Sequence, residues 1–267
     1  MADFLKQMAE HSAERASAAE TYSAADLDKP VVALTLSTFD IIAEVKDRSP
    51  AEGDLLSVEQ NRVELAKQYA CGGAAAISVL TEPSRFSGEL EHLQEVVAAV
   101  PGTPVMRKDF LVDPVQIVEG RAAGASGVLL IVTMLSDTTL RSMLDCATEH
   151  GIFVLLESFD EEDLRRTRQI LTSADQDHAA DGQLLFGVNT RDLRTLEVDP
   201  DRLGRLASAL PYGKCVAESG LHKPEDAAIV AGYGYSIALV GTALMRSSDP
   251  ADLVAAMKEA GSVGLAS

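Results

Sequence analysis

The sequence predicts an α/β chain: a (β/α)8 TIM barrel over residues 38–267, the catalytic domain, behind an N-terminal helical extension over residues 1–37. Three observations carry the prediction. Eight short apolar runs alternate with amphipathic stretches. Their starts recur close to the ~30 residues expected when a barrel of ~250 residues is divided into eight βα units. Several of the runs end in charged or amide side chains, and barrels of this class hold their chemistry at the C-terminal ends of their strands.

In chain order, an alanine-rich stretch from Ala2 to Ala18 predicts a helix, and a polar joint follows as far as Pro30. The apolar runs then fall at 41–45, 74–80, 104–106, 128–132, 153–156, 184–188, 215–217 and 237–240. Continuous apolar runs suit parallel strands that are covered on both faces. Between them, Val58, Val63, Leu65 and Ala66, and again Leu140, Met143, Leu144 and Ala147, carry the three-to-four spacing of a helix with one apolar stripe. The pairs Gly73-Ala74 and Gly124-Ala125 stand where a helix ends and the chain turns into a strand. No side-chain consensus repeats at a fixed period, so the alternation is not a solenoid. An open doubly wound sheet would place a glycine-rich turn after its first strand. This chain has Lys46-Asp47-Arg48-Ser49-Pro50 there.

Composition narrows the functional classes. A chain of 267 residues with 46% hydrophobic content can bury one large core. A net charge of −18 disfavours binding to nucleic acid, which needs a basic face. The first thirty residues contain no uncharged apolar segment of a secretory signal. The longest apolar run, 128–132, is far short of the ~20 residues that span a bilayer. No membrane association is therefore expected. Cys71, Cys146 and Cys215 are odd in number and lack CxxC spacing, which predicts free thiols and a cytoplasmic location. No metal and no obligate protein partner are expected, and the ligand is a small molecule.

The strand ends carry the functional signal. The first run ends in Glu44 and Lys46, the third leads into Arg107-Lys108-Asp109, the fifth into Glu157, the sixth into Asn189 and Arg191, and the seventh into Glu218-Ser219-Gly220. Glu44 and Lys46 are two apart and project to the same side of their strand, towards the barrel axis. A lysine beside carboxylates in a partly closed cavity suits acid–base chemistry; for any one of these residues alone, a structural ion pair is an equal reading. Ser219 and Gly220 after the seventh run, and Gly241 and Thr242 after the eighth, put small residues where backbone N–H groups can approach a phosphate, with a short helix start behind them. A Cβ would block that approach. Two ordinary turns are the plainer alternative. Ser49 and Lys46 add a hydroxyl and a charge from the first loop.

As a pattern, 41–46 with Arg48-Ser49-Pro50, then 78–82 with Phe86 and Gly88, Lys108-Asp109-Phe110, 129–132, Leu156-Glu157, 187–193, 217–220 and 241–245 resemble the indole-3-glycerol phosphate synthase family over residues 38 to 250. The resemblance implies ring closure of 1-(2-carboxyphenylamino)-1-deoxyribulose 5-phosphate to indole-3-glycerol phosphate, with loss of carbon dioxide and water and without a cofactor, in tryptophan biosynthesis. It implies Lys108 as the acid that protonates the ketone, Glu157 as its paired carboxylate, and Lys46 with Glu44 as the pair used in dehydration. Phe86 and Phe110 become walls around the aromatic ring. Ser49, Asn189, Arg191, Leu193 and Glu218 contact substrate, while Ser219, Gly220, Gly241 and Thr242 hold its phosphate. Ala51-Glu52 stand where the family commonly has Ser-Lys, and the polar stretch from Thr172 to Gln183 reads as an inserted surface loop on the opposite barrel face. The alternatives are another phosphate-binding lyase or aldolase with a Schiff base on Lys108, or a barrel that binds a phosphorylated ligand without catalysis.

Overall fold

Each apolar run forms a strand, and in the computed structural model, which describes residues 3–49, 53–54 and 61–265, these strands close on themselves. They are β1 (Asp40–Val45), β2 (Ala76–Leu80), β3 (Val105–Lys108), β4 (Gly127–Ile131), β5 (Phe153–Ser158), β6 (Leu184–Asn189), β7 (Lys214–Glu218) and β8 (Ile237–Val240). Every neighbouring pair is parallel, and β8 pairs back onto β1. This is a TIM barrel.

Register decides what the barrel encloses. Partners across a parallel ladder share a face, and Glu44 is opposite Ser78, Ile131 opposite Glu157, and Asn189 opposite Glu218. Two residues earlier on the inward face come Ile42, Leu129, Leu155, Gly187 and Val216, with Met106 and Leu239 beside them. All of these except the glycine belong to the buried apolar core. The interior is thus filled by apolar side chains beneath the charged groups at its top.

The helices cover the outside: α1 (Asp3–Ser17), α2 (Arg62–Cys71), α3 (Leu90–Ala99), α4 (Pro114–Ala123), α5 (Asp137–Glu149), α6 (Glu161–Ile170), α7 (Ser173–Ala180), α8 (Arg202–Leu206), α9 (Pro224–Gly232), α10 (Thr242–Met245) and α11 (Pro250–Leu265). In α5 the four apolar residues picked from spacing are all buried, and Ser136 caps the first turn by accepting from Thr139 N. In α2, Leu65 and Ala66 are buried as expected, whereas Val58 lies outside the described residues. Gly124, at φ 104, ends α4 in the left-handed conformation. No helix among the described residues is long and apolar enough to cross a membrane.

One expectation is corrected. The stretch from Thr172 to Gln183 is not a loop: it contains α7, started by a reciprocal capping box between Thr172 and Asp175. Its polar composition hides a narrow contact line in which Asp175 and Ala179, four apart, are buried. Arg141 of α5 donates to both oxygens of Asp175, which gives that buried carboxylate a partner.

The leader helix α1 packs on the barrel through buried Leu5 and Met8 and reaches the strand ends. Arg15 makes a two-pronged contact with Asp109 at 2.8 and 2.7 Å, and Gln116 donates to Ser12 Oγ at 2.9 Å. The extension therefore covers part of the barrel mouth.

Candidate active site

At the C-terminal end of the barrel the inward side chains form one charged cluster. Lys46 Nζ is 2.6 Å from Glu44 Oε1, and Lys108 Nζ lies 3.1 Å from Glu44 Oε2 and 3.4 Å from Glu218 Oε2. Lys108, from β3, thereby bridges carboxylates of β1 and β7. Asn189 donates to Glu157 Oε2 at 3.2 Å, and its own carbonyl oxygen accepts from Ser219 Oγ at 2.8 Å and from Arg191 N at 2.9 Å. Ordinary strand alternation brings these groups together, because each is an inward residue at or just past the end of its strand.

Glycines make the room. A Cβ at Gly187 would collide with Glu218 Oε1, and one at Gly241 with Glu44 Oε1 and, at 3.1 Å, with Lys46 Nζ. Any larger residue would displace the carboxylates.

Burial and mutual charge set the protonation states. Burial alone would raise the Glu44 carboxyl, but Lys46 and Lys108 hold it down at about 2, so it is ionised at neutral pH. Burial works against charge on Lys108 too, yet Glu44, Glu218 and Glu157 outweigh it and push its pKa above the ordinary lysine range. Lys108 is an ammonium. Glu157 is driven well upward by burial and by the neighbouring Glu218, against the pull of Lys108. Glu218 is also raised, again chiefly by burial. Two carboxyls in such proximity do not both ionise, and the pair retains one proton. The Oε1 atoms of both are buried and have no hydrogen-bond partner among the described residues.

Two connected lobes open above this floor. The first, about 940 Å³, is apolar apart from its floor: Phe86, Phe110, Leu80, Leu129, Ile131 and Leu193 form much of its wall, and Phe4 of α1 closes one side. The Phe86 and Phe110 rings are 6.1 Å apart, and Phe4 meets Phe110 edge-on at 5.9 Å. The second lobe, about 790 Å³, is lined by Ser219, Gly220, Gly241 and Thr242. Glu44, Lys46, Lys108, Arg191 and Ser219 line both. Ser219 and Gly220 take positive φ values of 66 and 79, a left-handed pair that turns the chain at the end of β7. The short helix α10 starts directly after Gly241, while after Gly220 the next helix begins only at Pro224.

Every site residue named from sequence lines or borders this chamber except Ser49. Ser49 belongs to a two-residue strand, Arg48–Ser49, paired with Gly53–Asp54, and its side chain lies outside the described residues, as do Ala51 and Glu52. Leu80, Leu129 and Ile131 were legible by counting inward positions along their strands, but Phe4 and Leu196 were not, because nothing local says that α1 reaches the mouth or that the loop after β6 still lines it beyond Leu193. Asp109 also gains a role. It is buried and accepts from Arg15, Thr81 Oγ1 at 2.8 Å and Phe110 N at 2.8 Å, with Arg107 3.3 Å away, so it anchors the segment carrying Lys108 and Phe110. Among the described residues no group of three or more His, Cys, Asp or Glu is arranged to hold a metal ion.

Comparison with known proteins gives a consistent result. The indole-3-glycerol phosphate synthase family model matches residues 5–257. An indole-3-glycerol phosphate synthase of Nocardioides sp. is 47% identical over 218 residues, 81% of this chain and 79% of the relative. One from Mycobacterium leprae is 42% identical over 245 residues, 91% and 85% respectively. Among solved structures, 3-hexulose-6-phosphate synthase from Salmonella typhimurium superposes with a TM-score of 0.62 at 16% identity, over 84% of this chain and 98% of that one. The alpha subunit of tryptophan synthase from Legionella pneumophila does so with a TM-score of 0.54 at 15% identity, over 84% and 92%. The two structural likenesses speak for the fold alone.

Proposed function

The chain belongs to the indole-3-glycerol phosphate synthase family, and on that premise we propose how its two-lobed chamber closes an indole ring. The reaction is that of a carboxy-lyase in tryptophan biosynthesis. The carboxylate form of 1-(2-carboxyphenylamino)-1-deoxyribulose 5-phosphate takes up one proton and gives indole-3-glycerol phosphate, carbon dioxide and water. The aromatic ring occupies the lobe walled by Phe86, Phe110 and Leu193, and the phosphate sits against Ser219, Gly220, Gly241 and Thr242. Arg191 lines both lobes and offers its planar fork of donors to the substrate carboxylate.

The observation that carries this reading is Lys108 held as an ammonium between Glu44 and Glu218, on the floor where the lobes meet. As the aromatic carbon attacks the ketone, negative charge grows on the oxygen, and Lys108 donates a proton to it. Loss of carbon dioxide restores aromaticity. Lys46, paired with Glu44, then protonates the departing hydroxyl, and the Glu157–Glu218 pair takes the proton that the new five-membered ring gives up. A Schiff base would need Lys108 as a neutral amine, which its carboxylate neighbours oppose, so the aldolase reading is the weaker one. Charges of both signs converging on one floor also favour catalysis over passive binding. We assign the reaction to the cytoplasm, in keeping with three free cysteines.

The test is an assay of purified protein with this substrate and no added metal or nucleotide. Indole fluorescence is expected to rise with time. A folded preparation that leaves the substrate unchanged overturns the proposal.

A further inference from the structure

Lys46 lies one residue beyond the end of the β1 ladder, whose last pairing is Val45 with Val79. Its ammonium must nevertheless stay 2.6 Å from Glu44 Oε1. The next residue, Asp47, is tied down by Arg62, the first residue of α2: Arg62 Nη2 donates to Asp47 Oδ2 at 2.7 Å, while Nη1 donates to Glu95 Oε2 of α3 at 2.8 Å. The base of Arg62 is itself fixed, because Asn61 caps α2 by accepting from Val63 N at 2.8 Å. His92 of α3 lies 3.9 Å from the same Asp47 oxygen. The guanidinium thus spans the exit of β1, the start of α2 and the flank of α3. An isolated exposed ion pair contributes little. Here both the Arg62 and Asp47 side chains are only about a fifth exposed, 21% and 23%, and the fork is divided between two elements.

We propose that Arg62 is a positioning residue for Lys46: acting through Asp47, it fixes the backbone just past β1 so that the Lys46 ammonium remains against Glu44 and faces the substrate. This assignment rests on the ring-closure reading above, in which Lys46 serves the dehydration step. Arg62 touches neither substrate lobe.

The experiment compares kcat and KM for the carboxyphenylamino-deoxyribulose phosphate in the wild type, Arg62→Ala, Asp47→Ala, the double variant and Arg62→Lys. Lys67→Ala, which breaks an exposed ion pair with Glu64 on the same helix, is the control. A reacting group misplaced by ~1 Å can cost on the order of a hundredfold, so each single variant is expected to lose about tenfold in kcat with KM within about twofold. The double variant is expected to be no worse than the worse single one, because the two residues act as one unit. Arg62→Lys should fall between wild type and Arg62→Ala, and Lys67→Ala should match wild type. Wild-type kcat in both single variants, losses that multiply in the double variant, or an effect confined to thermal stability would overturn the assignment. If Arg62→Ala does not fold, Asp47→Ala carries the same comparison. An inactive wild type would instead count against the ring-closure reading itself.

Discussion

A methyl group added at Gly187 would run into Glu218, and one at Gly241 into Glu44, so the positions of both carboxylates depend on side chains that are absent. Gly187→Ala is expected to cost about 1–3 kcal/mol through overpacking, and to lower kcat by at least ~10-fold as Glu218 moves from Lys108. Urea unfolding and fluorescence-monitored rates would measure the two effects separately, and a wild-type rate would show that Glu218 tolerates displacement. Glu157→Gln keeps the shape of the pair but removes its shared proton, so kcat should fall by about 10²–10⁴ with the fold intact. At this scale much was legible: two-residue spacing alone put Glu44 beside Lys46. Sequence did not show that Glu218 is the second partner of Lys108, because contacts across a closed barrel depend on the stagger of all eight strands rather than on any local pattern.

Asp109 links two elements, α1 through Arg15 and β3 through its own backbone. Burial would raise its carboxyl, but the hydrogen bond from Arg15 and the nearby Arg107 charge hold it at about 2. Its unfolded value is near the ordinary ~3.9, so a folded-state pKa near 2 contributes about 2 kcal/mol above pH ~4, and this is lost as the pH falls towards 2. Arg15→Ala should therefore lower stability at neutral pH by about 1–2 kcal/mol, with the deficit shrinking between pH 4 and 2. Denaturant unfolding across that range checks the sign, and a deficit that grew on acidification would refute it. Because Phe4 and Arg15 share α1, the same variant is expected to loosen the apolar lobe and raise KM. Element identity was mostly readable from periodicity. The helix α7 escaped because its buried line is only Asp175 and Ala179, although Thr172-x-x-Asp175 is a helix-start signal in its own right.

Over the whole molecule, support is spread beyond the chamber that holds the chemistry. The Arg141–Asp175 contact joins α5 to α7, away from the charged floor, so Arg141→Ala should reduce stability without changing kcat. Inorganic phosphate should occupy the glycine-lined lobe and stabilise the native state; at 100 times its dissociation constant the gain is about 2.7 kcal/mol, a rise of several degrees in Tm. An unchanged Tm in excess phosphate would remove that lobe as the anion seat. The barrel itself was legible because eight runs at even spacing leave few other closures, whereas the leader's place over the mouth was not, since long-range docking has no periodic signature. The plug beneath the charges has a further consequence. Among the described residues, buried Ile42, Met106, Leu129, Leu155, Leu185, Val216 and Leu239 fill the axis beneath Lys108 and the Glu157–Glu218 pair, and the chamber opens above them. A carboxylate departing as carbon dioxide leaves the enzyme one hydrogen ion short in every cycle. That ion has to enter by the doorway through which indole-3-glycerol phosphate leaves, so recharging the chamber and emptying it are a single event.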